Sequence, residues 1–296
     1  MLGVLGDLVE DVVVWLNEPL RETTDTDVEL FRTRGGSAAN VAAFAADRYP
    51  TRFLGCVGAD PTGDRLVAEL ATGGVEVRVQ RRGTTGTVVV LIDQDGERTM
   101  FPHRGASGLL TEIDQSWAVD LEHLHLTAYS STTEPMRSAV VEFARRVRGR
   151  GATVSLDASS TGLLRRYGPG RFRELVAELR PRFLLANRAE ADVLGLPERA
   201  CREVVVVVKD GGRPTTVFAP GAPAVEVDVP PVPLVRDLTG AGDAFAAGFL
   251  TAWLLGADPR SACVEGTPSR ARCSRRQERE ERDDDPGGAG LRPRPR

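Results

Sequence analysis

Apolar and polar residues alternate along the chain on two length scales. Short runs rich in valine, leucine and phenylalanine predict buried strands. Longer segments with apolar residues three and four positions apart predict helices that cover a sheet. The predicted strands are 1–7, 12–16, 27–33, 52–60 with its turn, 75–79, 86–92, 98–101, 121–127, 153–157, 183–186, 203–208, 215–218 and 225–229. The predicted helices are 62–72, 135–148 and 171–179, with others after Ser37 and Gly240.

The order of these elements predicts an α/β fold. From about residue 121 to 208, strands and helices alternate, which favours a parallel sheet covered on both faces. Ligands of such sheets bind at the carboxyl ends of the strands. Asp157 stands at one of these ends, where a site role and a capping or loop role are both open.

A loop of small residues, 236–245, leads into the most apolar predicted helix. Gly240 and Gly242 allow a ligand to approach the backbone closely. The first amides of a helix have no internal partner, and the helix dipole is positive there, so the loop predicts a phosphate site. Asp243 would repel a phosphate unless it takes a proton from the group that attacks it.

Two blocks resemble the signatures of the ribokinase/PfkB family of sugar kinases. They are D-x-T-G-A-G-D-A-F at 237–245 and G-G-x-x-x-N-x-A at 35–42. The resemblance implies a ribokinase-like three-layer α/β/α sandwich with a mostly parallel central sheet and a small β-sheet lid. It implies a kinase domain over 1–266, with the lid from about 12–34 and 77–104. It also implies ATP-dependent phosphorylation of a hydroxyl on a small sugar of the ribose, fructose or 2-keto-3-deoxygluconate type.

The resemblance also assigns roles to residues. Asp243 is implied as the base, and the amides of Gly240, Ala241 and Gly242 as the anion hole. A carboxylate can accept two hydrogen bonds from a vicinal diol, and an asparagine can both donate and accept. We expect Ser37 to cap the helix that follows it. The implied substrate-binding residues are Asp11, Gly35, Gly36 and Asn40, with Arg104 as a further candidate.

Another part of the resemblance concerns the nucleotide and cations. Asn187 and Glu190 match the N-x-x-E motif, which implies Mg²⁺ held largely through water. Lys209 and Gly211 are implied beside the nucleotide, although Pro214 stands where the family has a second glycine. Asp237 and Thr239 are candidates for a monovalent cation such as K⁺, as in several relatives.

Composition narrows the picture further. The net charge of −4 gives no electrostatic case for nucleic acid or an anionic membrane as partner. Lys209 is the single lysine of an arginine-rich chain. The four cysteines have no metal spacing, which favours free thiols in a reducing cytoplasm. The N-terminus lacks the pattern of a signal peptide. An exposed lid edge makes a homodimer through the lid a candidate assembly.

The pattern changes abruptly at Thr267. Residues 267–296 are rich in arginine, acidic residues, proline and glycine, and have few apolar side chains. Such a segment buries too little apolar surface to offset the entropy of ordering. The family has another apolar helix here, so a shift of the reading frame is one hypothesis and a genuine disordered tail is the other.

Three alternatives remain beside the sugar kinase. A nucleoside kinase of the same family would use Asp11 and Asn40 on a ribose equally well. A catalytically impaired sugar-binding protein would follow from the altered tail. A dinucleotide-dependent oxidoreductase is disfavoured, because its glycine fingerprint follows the first strand and precedes an acidic residue about 20 positions on.

Overall fold

A computed structural model describes residues 1–197, 203–229 and 240–266. Its strands are β1 (Leu2–Leu5), β2 (Val9–Leu16), β3 (Val28–Gly35), β4 (Thr51–Val57), β5 (Glu76–Arg81), β6 (Thr85–Ile92), β7 (Arg98–Gly105), β8 (His123–Thr127), β9 (Thr153–Asp157), β10 (Phe183–Asn187), β11 (Val205–Asp210), β12 (Arg213–Phe218) and β13 (Val225–Val227). Its helices are α1 (Ser37–Ala46), α2 (Pro61–Thr72), α3 (Ala128–Ser131), α4 (Met136–Gly149), α5 (Thr161–Tyr167), α6 (Pro169–Leu179), α7 (Arg188–Leu194), α8 (Ala241–Leu254) and α9 (Pro259–Gly266).

The larger sheet has nine strands in the order β13-β12-β11-β10-β9-β8-β1-β4-β5. The strands from β11 to β5 run parallel, and β12 and β13 add an antiparallel edge. Apolar clusters lie on both faces, one including Phe143 of α4 and Phe172 of α6, the other including Phe249 of α8. The predicted three-layer α/β/α arrangement is therefore confirmed. Because the strands are parallel, the residues after β1, β8, β9, β10 and β11 meet at one edge.

The smaller sheet has four strands in the order β3-β2-β6-β7. It contains a parallel pair, β2 with β6, flanked by antiparallel partners. The expected boundary of its second segment at about 77 needs correction to Thr85. Residues 76–81 form β5, which pairs parallel with β4 in the larger sheet, because Glu76 to Arg81 stand opposite Arg52 to Val57.

Two differences from the sequence prediction bear on function. Asp11 lies inside β2, opposite Thr33 of β3, rather than in a loop before a strand that begins at residue 12. Helices α5 and α7 were not predicted, since each has only seven residues and little periodicity. In the described ranges the helices are too short or too polar to span a bilayer. The altered segment 267–296 lies outside the described residues.

Candidate active site

The carboxylate of Asp243 joins the two signature segments. Asp243 stands in the first turn of α8, whose N-cap, Gly240, has a left-handed φ of 75°. Ser37 donates to its Oδ1 at 2.6 Å, and Nδ2 of Asn40 donates to its Oδ2 at 3.0 Å. Both donors belong to α1, which packs against α8. The structure therefore brings Asp243 and Asn40 into direct contact.

Ser37 has a different role from the one predicted. We expected it to cap α1, but the N-cap of this helix is Gly36, and no side chain caps it. The Ser37 hydroxyl is instead used on Asp243, 206 positions away in sequence. A signal was available: Ser37 and Asn40 are three residues apart on a helix and so face the same side.

The pKa of Asp243 is raised above its usual value. Burial is the largest cause, because a carboxylate loses hydration there, and the charge of Asp157 acts in the same direction. The hydrogen bonds from Ser37 and Asn40 and the charge of Lys209 oppose the rise. The carboxyl of Asp243 is thus more basic than that of an exposed aspartate.

Gly35 and Gly36, just before α1, pack too closely against Asp11 and Asp7 to carry side chains. Gly36 has φ of 99°, and a Cβ there would overlap the carbonyl oxygen of Asp7. A Cβ on Gly35 would overlap the carboxylate of Asp11. Asp11 is 8% exposed, so its carboxylate is held against the backbone of the first signature. The structure therefore places Asp11 against Gly35, and the Asn40 amide donates to the Gly36 carbonyl at 2.9 Å.

Arg104 on β7 is held by an aspartate that the sequence reasoning did not single out. Its Nε and Nη2 donate to the two oxygens of Asp7 at 3.0 and 2.5 Å. Asp7 follows β1 of the larger sheet, so this bidentate pair ties the smaller sheet to the larger one. The available signal was a carboxylate two residues past the end of a buried strand.

Asn187 and Glu190 form a capping box at the start of α7. Asn187 Oδ1 accepts from the Glu190 amide at 2.9 Å, and Glu190 Oε2 accepts from the Asn187 amide at 2.9 Å. Glu190 is 4% exposed. Burial first, and the charge of Asp157 second, raise its pKa. Both residues therefore have a structural role, and Glu190 also lies near the charges of Asp157 and Lys209.

Lys209 is paired inside the cleft. Its Nζ lies 3.0 Å from Oδ2 of Asp157, at the end of the strand two positions along the sheet. Burial opposes its charge, but Asp157, Glu190 and Asp243 outweigh that effect and raise its pKa. A Cβ on Gly242 would stand 3.5 Å from this Nζ, so the missing side chain leaves space between the ammonium and α8.

The remaining sequence candidates are less informative. Gly211 occupies the turn between β11 and β12, where a Cβ would meet nothing within 4 Å. Asp237 and Thr239 lie outside the described residues. Across 1–197, 203–229 and 240–266, no three His, Cys, Asp or Glu side chains are grouped as metal ligands.

Comparison with known proteins gives a consistent picture. The model described as "pfkB family carbohydrate kinase" matches residues 4–268. An ATP-dependent ribose-1-phosphate kinase of Halopiger xanaduensis is 33% identical over 243 residues, covering 77% of this chain and 76% of the relative. An aminoimidazole riboside kinase of Salmonella typhimurium is 30% identical over 73% of this chain and 72% of the relative.

The fold is shared with solved structures as well. Adenosine kinase from Sinorhizobium meliloti superposes with a TM-score of 0.79 at 20% identity, covering 94% of this chain and 98% of that one. At this identity the likeness shows the architecture alone.

Proposed function

The chain belongs to the pfkB family of carbohydrate kinases, and from that premise we propose that it transfers the γ-phosphoryl group of ATP to a hydroxyl of a small sugar. Membership makes it a sugar or nucleoside kinase. The observation that carries the finer proposal is the position of Asp243. It lies beside the start of a helix and is hydrogen-bonded by Ser37 and Asn40 of the other signature.

Asp243 acts as the base that takes the proton from the attacking hydroxyl. Its raised pKa improves its basicity, and its two hydrogen bonds fix its orientation. The amides of Gly240, Ala241, Gly242 and Asp243 point out of the helix start and stabilise the charge on the phosphoryl group in flight. Positioning and electrostatic stabilisation account for most of the catalysis in phosphoryl transfer.

The sugar is held beside Asp243 by residues of the first signature. The Asp11 carboxylate and the Gly35–Gly36 backbone lie together, next to Asn40 of α1. A guanidinium has five N–H donors, and the Asp7 carboxylate does not use all of them. Arg104 can therefore offer a donor to the sugar while it stays paired with Asp7.

The nucleotide phosphates lie between α8 and the ends of β10 and β11. The space that Gly242 leaves against Lys209 accommodates a phosphate oxygen, and the ammonium neutralises part of its charge. Gly211 shapes the neighbouring turn. Asn187 and Glu190 would hold Mg²⁺ through water, and the ion would neutralise charge between the phosphates. A monovalent cation such as K⁺ at Asp237 and Thr239 completes the proposal.

A substrate panel tests the assignment. ADP release would be followed with ribose, ribose 1-phosphate, fructose, 2-keto-3-deoxygluconate, aminoimidazole riboside and adenosine, with and without Mg²⁺. The proposal expects Mg²⁺-dependent turnover of at least one free sugar, with higher kcat/KM than either nucleoside. Preference for adenosine or the riboside would favour the nucleoside kinase instead. Turnover by the Asp243→Asn variant at the wild-type rate would remove the proposed base.

A second candidate is a sugar-binding protein with impaired catalysis. One specific observation favours it: the family match ends at residue 268, next to the change of composition at Thr267. Calorimetry with the panel sugars separates the two functions. The impaired protein would be supported if this chain binds sugar without releasing ADP, while a version with the restored reading frame does release ADP.

We further propose a homodimer formed through the smaller sheet. Its edge strands β3 and β7 carry exposed apolar side chains, including Leu30, Phe31, Met100 and Phe101, which are 40–55% exposed. Light scattering coupled to gel filtration should give twice the mass of the chain. Met100→Glu with Phe101→Glu should give the monomer, whereas an unchanged dimer would place the interface elsewhere.

A further inference from the structure

A chain of polar contacts reaches the base from the side of the smaller sheet. Nη1 of Arg34, on β3, donates to Oδ1 of Asn40 at 3.1 Å, and Nδ2 of Asn40 donates to Oδ2 of Asp243 at 3.0 Å. We infer that Arg34 is a positioning residue for Asp243, acting through Asn40. The inference rests on the proposed function in taking Asp243 as the base.

The chemistry of the three groups allows one arrangement. A guanidinium only donates, and an ionised carboxylate only accepts. The Asn40 carboxamide between them can satisfy both only if its oxygen faces Arg34 and its nitrogen faces Asp243. A flipped carboxamide would place oxygen against carboxylate and NH₂ against guanidinium. Arg34 therefore selects the rotamer of Asn40 that donates to the base.

Arg34 is itself fixed in place. Its side chain is 15% exposed, and its Nε lies 3.5 Å from Oε1 of Glu69 on α2. Glu69 is also 3.6 Å from Arg65, one helical turn earlier. The guanidinium is thus anchored on one side by α2 and directed on the other at Asn40. Such anchoring lowers the entropy lost when the base is oriented for reaction.

The contacts from Arg34 through Asn40 to Asp243, which we call the relay, also affect the protonation of the base. The hydrogen bond from Asn40 is one of the contacts that hold the pKa of Asp243 down against burial. When Arg34 no longer fixes the carboxamide, this bond weakens. The pKa of Asp243 then rises further, and the ionised carboxylate also loses its orientation.

The chain provides a matched control on the same strand. Arg32 stands two residues before Arg34, and its Nη1 pairs with Oε2 of Glu10 at 2.7 Å. Both arginines form ion pairs from β3, and Arg34 is the one that contacts Asn40. Arg32→Met therefore reports the cost of losing an ion pair from this strand while the Arg34–Asn40 bond stays in place, and Glu10 keeps a second partner, Arg65, at 2.7 Å.

The experiment compares Arg34→Met, Arg34→Lys and Arg32→Met by steady-state kinetics across pH. Arg34→Met should lower kcat roughly tenfold to hundredfold, as small misplacements of reacting groups do, with KM for the sugar changed less than about threefold. The acidic limb of its kcat/KM profile should move to higher pH. Arg34→Lys, which keeps a donor, should recover part of kcat. Arg32→Met should resemble the wild type.

A second measurement is independent of turnover. Aspartate labelled with ¹³C at the carboxyl carbon, with Asp243→Asn used to identify the resonance, reports the titration of Asp243 directly. Arg34→Met should titrate at higher pH than the wild type, and Arg32→Met should not. If the wild type turns over no substrate but this difference is present, the relay stands and the kinase proposal fails. Equal titration in all three proteins, or equal losses of kcat in Arg34→Met and Arg32→Met, would overturn the relay.

Discussion

At the scale of single residues, the site depends on which side chains contact each carboxylate and where along the chain they come from. Asp243 is oriented by Ser37 and Asn40, both over 200 positions away. Asp157 neutralises Lys209 and at the same time raises the pKa of Asp243. A change in one partner should therefore alter both the charge and the geometry around Asp243.

Asp243→Asn tests the base directly. The amide keeps the shape of the side chain but cannot take a proton, so kcat should fall by about 10²–10⁴-fold. Sugar affinity should stay within a few-fold of the wild type, because Asp11 and the Gly35–Gly36 backbone are unchanged. Turnover assays and calorimetry measure the two quantities separately. A large loss of sugar affinity with kcat preserved would contradict the assignment.

Ser37→Ala tests the electrostatic account of the pKa. The hydroxyl donates to Asp243 and lowers its pKa, so its removal should raise that pKa and move the acidic limb of kcat/KM to higher pH. Ser261→Ala is the control, since Ser261 makes a 2.6 Å bond to the exposed Asp258 at the start of α9. A shift to lower pH in Ser37→Ala, or the same shift in both variants, would refute the account.

At the scale of elements, the site is a meeting of strand ends and helix starts. β1, β9, β10 and β11 deliver Asp7, Asp157, Asn187 and Lys209 to one edge of the larger sheet. Helices α1 and α8 begin there, each after a glycine with positive φ. The turn between β3 and α1 crosses the segment after β1 so closely that a Cβ on Gly36 would overlap the Asp7 carbonyl.

Gly36→Ala should destabilise the fold at this crossing. Positive φ strain alone costs roughly 1–3 kcal/mol in the free energy of unfolding, and the overlap with the Asp7 carbonyl adds to it. Urea unfolding measures the loss. Gly108→Ala is the matched control, because a Cβ at Gly108 would meet nothing within 4 Å. Equal stability of the two variants would show that the backbone moves away at no cost.

At the scale of the whole molecule, two buried histidines lie in the middle of the larger sheet. His123 and His125 of β8 both contact the Ser155 hydroxyl, at 2.8 Å. His123 also packs edge-on to Trp253 of α8, with ring centroids 5.2 Å apart. Burial lowers the pKa of His123 to about 3 and of His125 to about 4, so both are neutral in the folded chain.

These histidines predict acid sensitivity. Below pH 6.5 the unfolded chain binds protons at both imidazoles and the folded chain does not, so the free energy of unfolding falls as pH decreases towards 4. The slope should be on the order of 1 kcal/mol per pH unit for each imidazole. Urea unfolding between pH 6.5 and 5 measures it. His125→Gln should reduce the slope, and an unchanged slope in this variant would contradict the account.

The sequence by itself determined the fold class and supplied the candidate residues of the site. Strand and helix periodicity is local, so strands β8 to β11 and helices α4 and α6 could be predicted to within a few residues. The smaller sheet was placed less well, because residues 76–81 look like any strand and only pairing assigns them to the larger sheet.

Tertiary structure alone decided how the groups of the site act on one another. The contacts of Asp243 with Ser37, of Lys209 with Asp157 and of Arg104 with Asp7 join residues 206, 52 and 97 positions apart. No local pattern encodes such pairs, because they depend on which strands become neighbours and how α1 packs against α8. The residue types indicated the chemistry, whereas the raised pKa and the orientation of Asp243 follow from packing.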